Sequence, residues 1–596
     1  MNEYTLVAIA WPYASADNHA GNVTGSHLPG DIFARYHRLS GDHVLMVSGS
    51  DSHGTPITVV ADSEGKSPTE VFEEFHQRFL KLFMRLGISY DLFTHTDTDN
   101  HHRVSQDFFS KLLENGYLFV EKQEQMYSES ADKFLPDRYV EGTCPMCGYD
   151  NARGDQCDRC NTLLDPKDLI NPRSKMDGSI PVIRETEHFF LDLPLLAEKG
   201  LAKWLELGKE DWRPNVINFS RNFVNKGLRA RPITRDLKWG IPVPLDGWDG
   251  KCIYVWFEAV IGYFSASIEW ARNRGTPEVW KHWWYDQSAK TRYFIGKDNI
   301  PFHAIIWPAE LLGVERLYTQ DDTQQFNLPY DVPANEFMNL EGRKISGSRK
   351  WAVWMDDVLE RYDSDALRYY LTVTMPESRD SDWLWDGFYQ RNNDELVATW
   401  GNLINRALSF SYRHFDKQVP EPAELEDIDR ELLQKIGRGF TDVGQLIDAC
   451  KFRAALAEAM ALAREANRYL EEKGPWFQIK EDRQAAATTL YTALHAIDSL
   501  KVLFAPFLPF TSQRLHEFLG YDGALFGRSY VETVEEENGR IHDALCYDNS
   551  KATGTWQPSE LAAGQTLRKP HPLFKKLEGS IVEEELARLS SSNTGD

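Results

Sequence analysis

Cysteine is scarce in this chain, basic residues are outnumbered, and no apolar run is long enough to cross a membrane; each shortage excludes a class of protein. Seven cysteines in 596 residues are too few for the disulfide framework of a small secreted scaffold. Cys252, Cys450 and Cys546 stand alone in unrelated contexts, which fits a reducing compartment. Lys and Arg number 66 against 90 Asp and Glu, a net charge of −24, so a surface that coats nucleic acid is excluded and any polynucleotide must be gripped locally. The first apolar stretch, Leu6 to Ala10, is too short for a signal core and has no basic segment before it. The most membrane-like run, Ile253 to Trp270, carries Glu258, Ser265, Ser267 and Glu269, the pattern of a buried strand and helix. The expectation is a soluble, cytoplasmic protein with no membrane partner. The chain has no internal repeat, and the acidic runs at 532–537 and 583–585 read as solvated segments.

Four of the cysteines do form a pattern. Cys144-Pro-Met-Cys147 and Cys157-Asp-Arg-Cys160 are separated by nine residues, and two CxxC pairs at that distance present four thiolates to one tetrahedral ion. Gly148 and Gly154 permit tight turns beside the ligands. Four sulfurs leave no open coordination position, so a zinc ion there holds shape and does no chemistry. Hydrophobic residues make up 42% of the chain and aromatics 12%, ample for the several cores that this length requires.

The N-terminus reads as the start of a nucleotide-binding βαβ unit. Thr5-Leu-Val-Ala-Ile-Ala10 is a short apolar run before a Pro-Tyr turn; Leu28, Ile32, Phe33, Tyr36 and Leu39 then recur at helical spacing, and His43-Val-Leu-Met-Val-Ser48 supplies a second strand. Between strand and helix, Tyr13-Ala-Ser-Ala-Asp-Asn-His19-Ala-Gly21-Asn22 sets an imidazole, an amide and one glycine at a helix N-terminus, where backbone N–H groups and the helix dipole attract phosphate. The second strand ends in Ser50-Asp51-Ser52-His53-Gly54-Thr55-Pro56, at the carboxyl end where ligands sit in open α/β sheets. Asp51 there suits either an ammonium group or a helix cap. Downstream lie Phe294-Ile-Gly296-Lys-Asp298-Asn-Ile-Pro-Phe-His303 and a basic loop, Gly342-Arg-Lys344-Ile-Ser346-Gly347-Ser348-Arg349-Lys350, suited to polyphosphate.

An HxGN after the first strand, a KxSxS loop more than 300 residues later and a cysteine knuckle between them together resemble the class I aminoacyl-tRNA synthetases, specifically their methionyl branch. The likeness runs from residue 5 to about residue 515 and includes Arg235, the segment Tyr254-Val-Trp256-Phe-Glu258-Ala-Val-Ile-Gly-Tyr263, and Asp365-Ala-Leu-Arg-Tyr-Tyr370. About 100 residues separate the catalytic halves, too few for the editing domain of the leucyl, isoleucyl and valyl relatives. The resemblance implies a doubly wound parallel Rossmann-like α/β catalytic domain with a zinc-knuckle insertion, followed by an α-helical anticodon-binding bundle. The expected divisions are 1–119 and 226–330 for the catalytic fold, 120–225 for the insertion, 331–390 for a stem-contact region, 391–519 for the bundle and 520–596 for a weakly periodic, partly ordered tail. In the bundle Leu396, Trp400, Leu403, Ile404 and Ala407 share one face and Leu490, Leu494, Ile497 and Leu500 another; Pro506 and Pro509 are expected to close the last helix.

The activity implied is attachment of L-methionine to methionine tRNA through methionyl-adenylate, with release of AMP and diphosphate, for initiation and elongation. The alternative is a weakened paralogue that binds tRNA or regulates. By the same resemblance His19, Gly21 and Asn22 cover the ATP phosphates and ribose, Gly296 and Asp298 meet the adenosine, Lys344 approaches the pyrophosphate with Mg²⁺, and Arg235 meets the reacting carboxylate or phosphates. Trp11, Tyr13, Trp256, Tyr263 and His303 line the methionine side-chain pocket, and Asp51 takes the α-ammonium. Asn402, Arg406 and Trp476 match the anticodon readers, and a monomer is expected. The chain departs from the family at Asn22, where the motif ends in histidine, and at Gly347, where the loop has a second lysine. Arg349 or Lys350 must then supply the missing cation.

Overall fold

The computed structural model describes residues 2–136, 139–154, 157, 159–160, 164–347 and 350–593. Its central sheet comprises β1 (Tyr4–Ile9), β2 (His43–Ser50), β3 (Leu92–His95), β4 (Lys290–Gly296), β5 (Ala334–Asn335), β6 (Arg528–Glu535) and β7 (Ile541–Asp548), in the order β5-β4-β1-β2-β3-β7-β6. The first five are parallel, whereas β7 runs antiparallel to β3 and β6 antiparallel to β7. Leu6 to Ile9, Leu45 to Val47 and Tyr293 to Ile295 are buried without alternation, as strands covered on both faces must be. From β1 the chain passes to β2 on one side and reaches β4 on the other only after the insertion. The carboxyl ends of β1 and β4 therefore flank a topological switch point, where such sheets bind ligands. Helix α1 (Leu28–Leu39) packs Leu28, Ile32 and Phe33 inward at the predicted spacing. The apolar segment after residue 253 forms α2 (Val255–Asn273), buried along most of its length. Among the described residues no helix is long and apolar enough to cross a membrane.

The insertion is a long antiparallel pair, Leu118–Ser128 against Val182–Leu191, and between these strands a small three-stranded sheet frames the cysteine turns. The bundle contains α3 (Asn402–His414), α4 (Asp427–Asp448), α5 (Phe452–Lys473) and α6 (Arg483–Phe504). Both predicted apolar faces are buried to 2% exposure or less. Pro509 closes nothing: it stands at the first position of a further helix, Pro509–Phe518, where its missing N–H is harmless. The Asp365-to-Tyr370 segment clamps bundle to sheet. Arg368 is fully buried, 2.7 Å from Asp31 of α1, and donates to the carbonyls of Leu86, Pro506 and Phe507.

Within the segment expected as a partly ordered tail, the strands between residues 528 and 548 instead join the catalytic sheet. Leu545 pairs with Phe93 and Cys546 with Leu92, and Ala544 to Tyr547 are buried. Its partner β6 lies on the edge with mostly polar, exposed positions, which hid the strand period. The acidic runs are not uniformly solvated either. Glu536 accepts the Asp99 N–H at 2.8 Å, and Glu585, 2% exposed, accepts from Arg361 and from the Tyr362 hydroxyl.

Candidate active site

A cavity of about 330 Å³ opens at the switch point, walled by Trp11 after β1, by His19, Gly21 and Asn22, by Gly296 and Asp298 after β4, and by Lys344 and Ile345. His19 is a helix N-cap. Its Nδ1 accepts the Asn22 N–H at 3.3 Å while Asn22 Oδ1 accepts the His19 N–H at 3.1 Å, so two exposed helix donors are satisfied reciprocally. Desolvation lowers the His19 pKa to about 4; the ring is neutral at pH 7 and, with Nδ1 accepting, carries its proton on Nε2. Nε2 and the Asn22 amide nitrogen thus remain as uncharged donors. A Cβ at Gly21 would stand 3.0 Å from His19 Cε1, so a larger residue would displace the imidazole.

The Lys344 loop is tied to this turn across the fold. Ala20 N–H donates to Val353 O at 2.9 Å and Met355 N–H to Asn18 O at 3.0 Å, and the His19 and Trp354 rings lie 6.0 Å apart. Lys344 is exposed at the cavity, its Nζ 5.6 Å from the Phe337 ring. At Gly347 a Cβ would meet only Trp354, at 3.4 Å. Lys350 is exposed, holds φ 52° and donates its N–H to Gly347 O, but it is not among the residues walling the cavity. Ser348 and Arg349 lie outside the described residues.

A second cavity of about 270 Å³ is lined by Tyr13, His53, Gly54, Arg235 and Trp256, among others. Tyr13 meets Trp256 edge-on at 5.8 Å, and Trp256 stacks on Phe302 at 4.2 Å. Arg235 belongs here and not with His19 and Lys344. Its Nη1 donates to Thr234 O and Pro232 O, and its guanidinium lies 3.9 Å from the Tyr254 ring centre. Asp51, 2% exposed, is held by backbone bonds to Pro12 and Ala14. It caps no helix, because Gly54, at φ 91°, is the N-cap of Thr55–Glu64. Burial, then the negative charge of Glu258, raise its pKa well above the ordinary carboxyl range. Among the described residues it forms no ion pair, so a cation entering beside it would be strongly attracted.

Tyr263 and His303 line neither cavity. They form a buried pair in which Tyr263 Oη lies 2.7 Å from His303 Nε2 and His303 Nδ1 lies 2.9 Å from Asn299 O. The carbonyl requires the proton on Nδ1, so Nε2 accepts from the tyrosine, and burial lowers the His303 pKa to about 4. Trp11 borders both the first cavity and this pair, 6.3 Å from Tyr263, as does Asn299 through its carbonyl. Gly49 and Gly262 make its slot: a Cβ at either would stand within 2.6 Å of the indole. Phe302 and Phe337 were not singled out from the sequence. Phe302 adjoins His303 in a quoted motif, whereas nothing local marks Phe337.

The four knuckle sulfurs lie within 4.8 Å of one another, with Cys144 to Cys160 at 3.8 Å and Cys147 to Cys157 at 3.6 Å. A disulfide needs about 2.05 Å. A tetrahedron of metal–sulfur bonds near 2.3 Å has edges of about 3.8 Å, so the donor set fits a four-coordinate ion. Far away on the bundle, Asn402 is exposed, the Arg406 guanidinium lies 4.4 Å from the Trp476 ring centre, and Arg406 is 3.6 Å from Glu471. The resemblance implies a common task for these residues; the Arg406 cation and the Trp476 indole stand together, and Asn402 lies about one turn from Arg406 on the same helix.

Two family descriptions match the chain: "tRNA synthetases class I (M)" over residues 5–408 and "Anticodon binding domain of methionyl tRNA ligase" over residues 419–542. A methionine–tRNA ligase of Thermomicrobium roseum is 57% identical over 591 residues, 99% of each chain. The chain belongs to the methionine–tRNA ligase family. Its relative from a Roseiflexus species is 55% identical over 597 residues, again 99% of each chain. Among solved structures, Mycobacterium tuberculosis methionyl-tRNA synthetase in complex with methionyl-adenylate matches with a TM-score of 0.75 at 23% identity, covering 96% of this chain and 100% of that one, a likeness of fold. The Rossmann-like catalytic domain, the helical anticodon domain and the ligase class expected from the sequence stand on these matches. The weakened, regulatory paralogue gains no support from them.

Proposed function

We propose that this chain activates L-methionine with ATP and transfers it to methionine tRNA, and that the two cavities divide the first step. The observation that carries this is the meeting of the His19 turn and the Lys344 loop around one cavity at the switch point, with a buried carboxyl group, Asp51, that forms no ion pair among the described residues and whose backbone N–H donates to the carbonyl of Pro12 in that cavity's wall. The methionine carboxylate attacks the α-phosphate of ATP, and charge builds on the phosphoryl oxygens and the leaving pyrophosphate. Positioned donors must meet that charge. His19 Nε2–H and the Asn22 amide serve the phosphates and ribose, Gly21 admits the nucleotide, Gly296 and Asp298 hold the adenosine, and Lys344 meets the pyrophosphate. Mg²⁺ carried by ATP would supply further charge neutralisation there. Asp51 receives the α-ammonium and Arg235 the carboxylate, while Trp11, Tyr13 and Trp256 bound the thioether with Tyr263 and His303 behind them. A thioether is polarizable and weakly accepting, so aromatic walls suit it.

Transfer to the terminal ribose needs no further protein nucleophile. Asn402, Arg406 and Trp476 take the anticodon bases, with the indole as a stacking platform. The knuckle holds one structural zinc ion, and the enzyme acts as a cytoplasmic monomer. Methionine-dependent ATP–pyrophosphate exchange, followed by charging of methionine tRNA, tests the whole. Charging with no exchange for any other amino acid is the expected result; tRNA binding without exchange would instead establish a regulatory paralogue, and exchange without charging a different adenylating ligase.

A further inference from the structure

Beside the second cavity runs a buried chain of ion pairs that the proposed reaction leaves unused. His53, 2% exposed, has Nδ1 2.7 Å from Glu258 Oε1 and Nε2 3.5 Å from Asp97 Oδ1. The other oxygen of fully buried Glu258 holds His101 Nε2 at 2.7 Å, and His101 Nδ1 meets Ser265 Oγ at 2.8 Å. Asp97 is also 3.3 Å from His102 Nε2 and 2.7 Å from Arg540 Nη2. Arg540 comes from the turn between β6 and β7, so the added hairpin delivers the outer end of the chain. Asp51 touches its inner end: the His53 backbone N–H lies 3.4 Å from Asp51 Oδ1.

Charge balance gives this arrangement a purpose. Asp51, Glu258 and Asp97 are three neighbouring carboxylates with low exposure, and carboxylates so placed cannot all ionise without compensating cations. Burial alone would lower the His53 pKa, but Glu258 and Asp97 together raise it to about 10, so His53 is an imidazolium at neutral pH. His101 shifts the other way, chiefly through burial, and serves Glu258 as a neutral donor. With all three carboxylates ionised, His53 and Arg540 leave one negative charge over, the charge that an α-ammonium would match. His53, Asp97 and His102 are also close enough together to ligate a metal; however, Arg540 already contacts Asp97, and its guanidinium would oppose a dication there.

On the assignment of the α-ammonium to Asp51, we propose that His53 is a positioning residue of the amino-acid site. Clamped between Glu258 and Asp97, with Arg540 anchoring Asp97, its imidazolium is the fixed cation that favours ionisation of Asp51, against burial and Glu258, for the incoming substrate. The groups facing Asp51 are Glu258, His53 and the Tyr263 phenol. Glu258 raises its proton affinity and His53 lowers it. Loss of the imidazolium must therefore move Asp51 ionisation to higher pH.

The test is the pH profile of kcat/KM for methionine in pyrophosphate exchange. In the parent enzyme the ratio rises with pH as Asp51 ionises and then levels. In His53→Gln this rising limb should shift upward by one unit or more, with KM for methionine at neutral pH rising about tenfold and KM for ATP nearly unchanged. Arg540→Met, at a side chain 44% exposed, should shift the limb the same way by less, and Arg540→Lys should restore it. If His53→Gln does not fold, Arg540→Met decides. A limb that stays in place, with activity lost equally at every pH, would overturn the proposal. Asp51→Asn separates the two assignments: an unchanged methionine KM there removes the ammonium assignment itself, whereas a large rise there with an unmoved limb in the other variants removes only the role of His53.

Discussion

Replacement of Trp476 by alanine should separate tRNA charging from amino-acid activation. The indole begins a short helix behind Gly474, whose φ of 55° and αL geometry turn the chain, and it is half-buried against the bundle. Two interactions at this place are weak by their exposure. The Arg406 contact at 4.4 Å is worth about 0.5–1 kcal/mol, and the Arg406–Glu471 pair at 3.6 Å about 0–1 kcal/mol. A stacked base contributes about 1–3 kcal/mol, which at about 1.4 kcal/mol per tenfold is a fall of roughly 5- to 150-fold in kcat/KM for tRNA. None of the three side chains walls either cavity, so methionine-dependent pyrophosphate exchange should stay within about twofold of the parent. Both rates are measured on one preparation, with tRNA as the varied substrate in the charging assay. A double cycle with Arg406→Ala should return a coupling of about 0.5–1 kcal/mol. Exchange falling in parallel with charging would make Trp476 a structural residue, and unchanged charging would remove it from the RNA surface altogether.

Cys157→Ser should lower bound zinc from one ion per chain and reduce folding yield, because three thiolates cannot close the site; full stability of the metal-free protein would contradict this. Lys344→Ala should slow pyrophosphate exchange by about a hundredfold or more with little change in KM for methionine, since charge placed at the pyrophosphate acts mainly in the transition state. A loss confined to KM would refute that role. Glu310, fully buried and with no partner for either oxygen among the described residues, has its pKa raised well above 4.5 by burial; it stays protonated when folded and ionises near 4.5 when unfolded, so it subtracts stability as pH rises above 4.5. Glu310→Met should then stabilise by about 1–3 kcal/mol at pH 7 and less at pH 4, and equal effects at both pH values in denaturant unfolding would show that the carboxyl is not the cause.

Much of this architecture is legible along the chain. The CxxC pairs, the HxGN turn and the basic loop are local patterns whose chemistry follows from residue type and spacing, and the helical faces at 396–407 and 490–500 follow from a period of 3.6 that burial enforces. Other features have no local signal. The β6–β7 hairpin carries too many polar edge positions to announce a strand, and its place became definite only when Leu545 and Cys546 paired with β3. Arg235 is read as a cation near the reaction by motif, but its carbonyl partners and the Tyr254 ring turn it toward the second cavity. His53, Glu258 and Arg540 lie in three distant segments, and their protonation depends on mutual distance in a low-dielectric interior. The sequence by itself determined the fold class, the four-cysteine cluster and the residue types that wall the switch-point cavity, because periodicity, turn chemistry and cysteine spacing act over short stretches. Only the tertiary structure decided which charges face one another, because Coulomb energies and desolvation depend on separations in space that spacing along the chain does not encode.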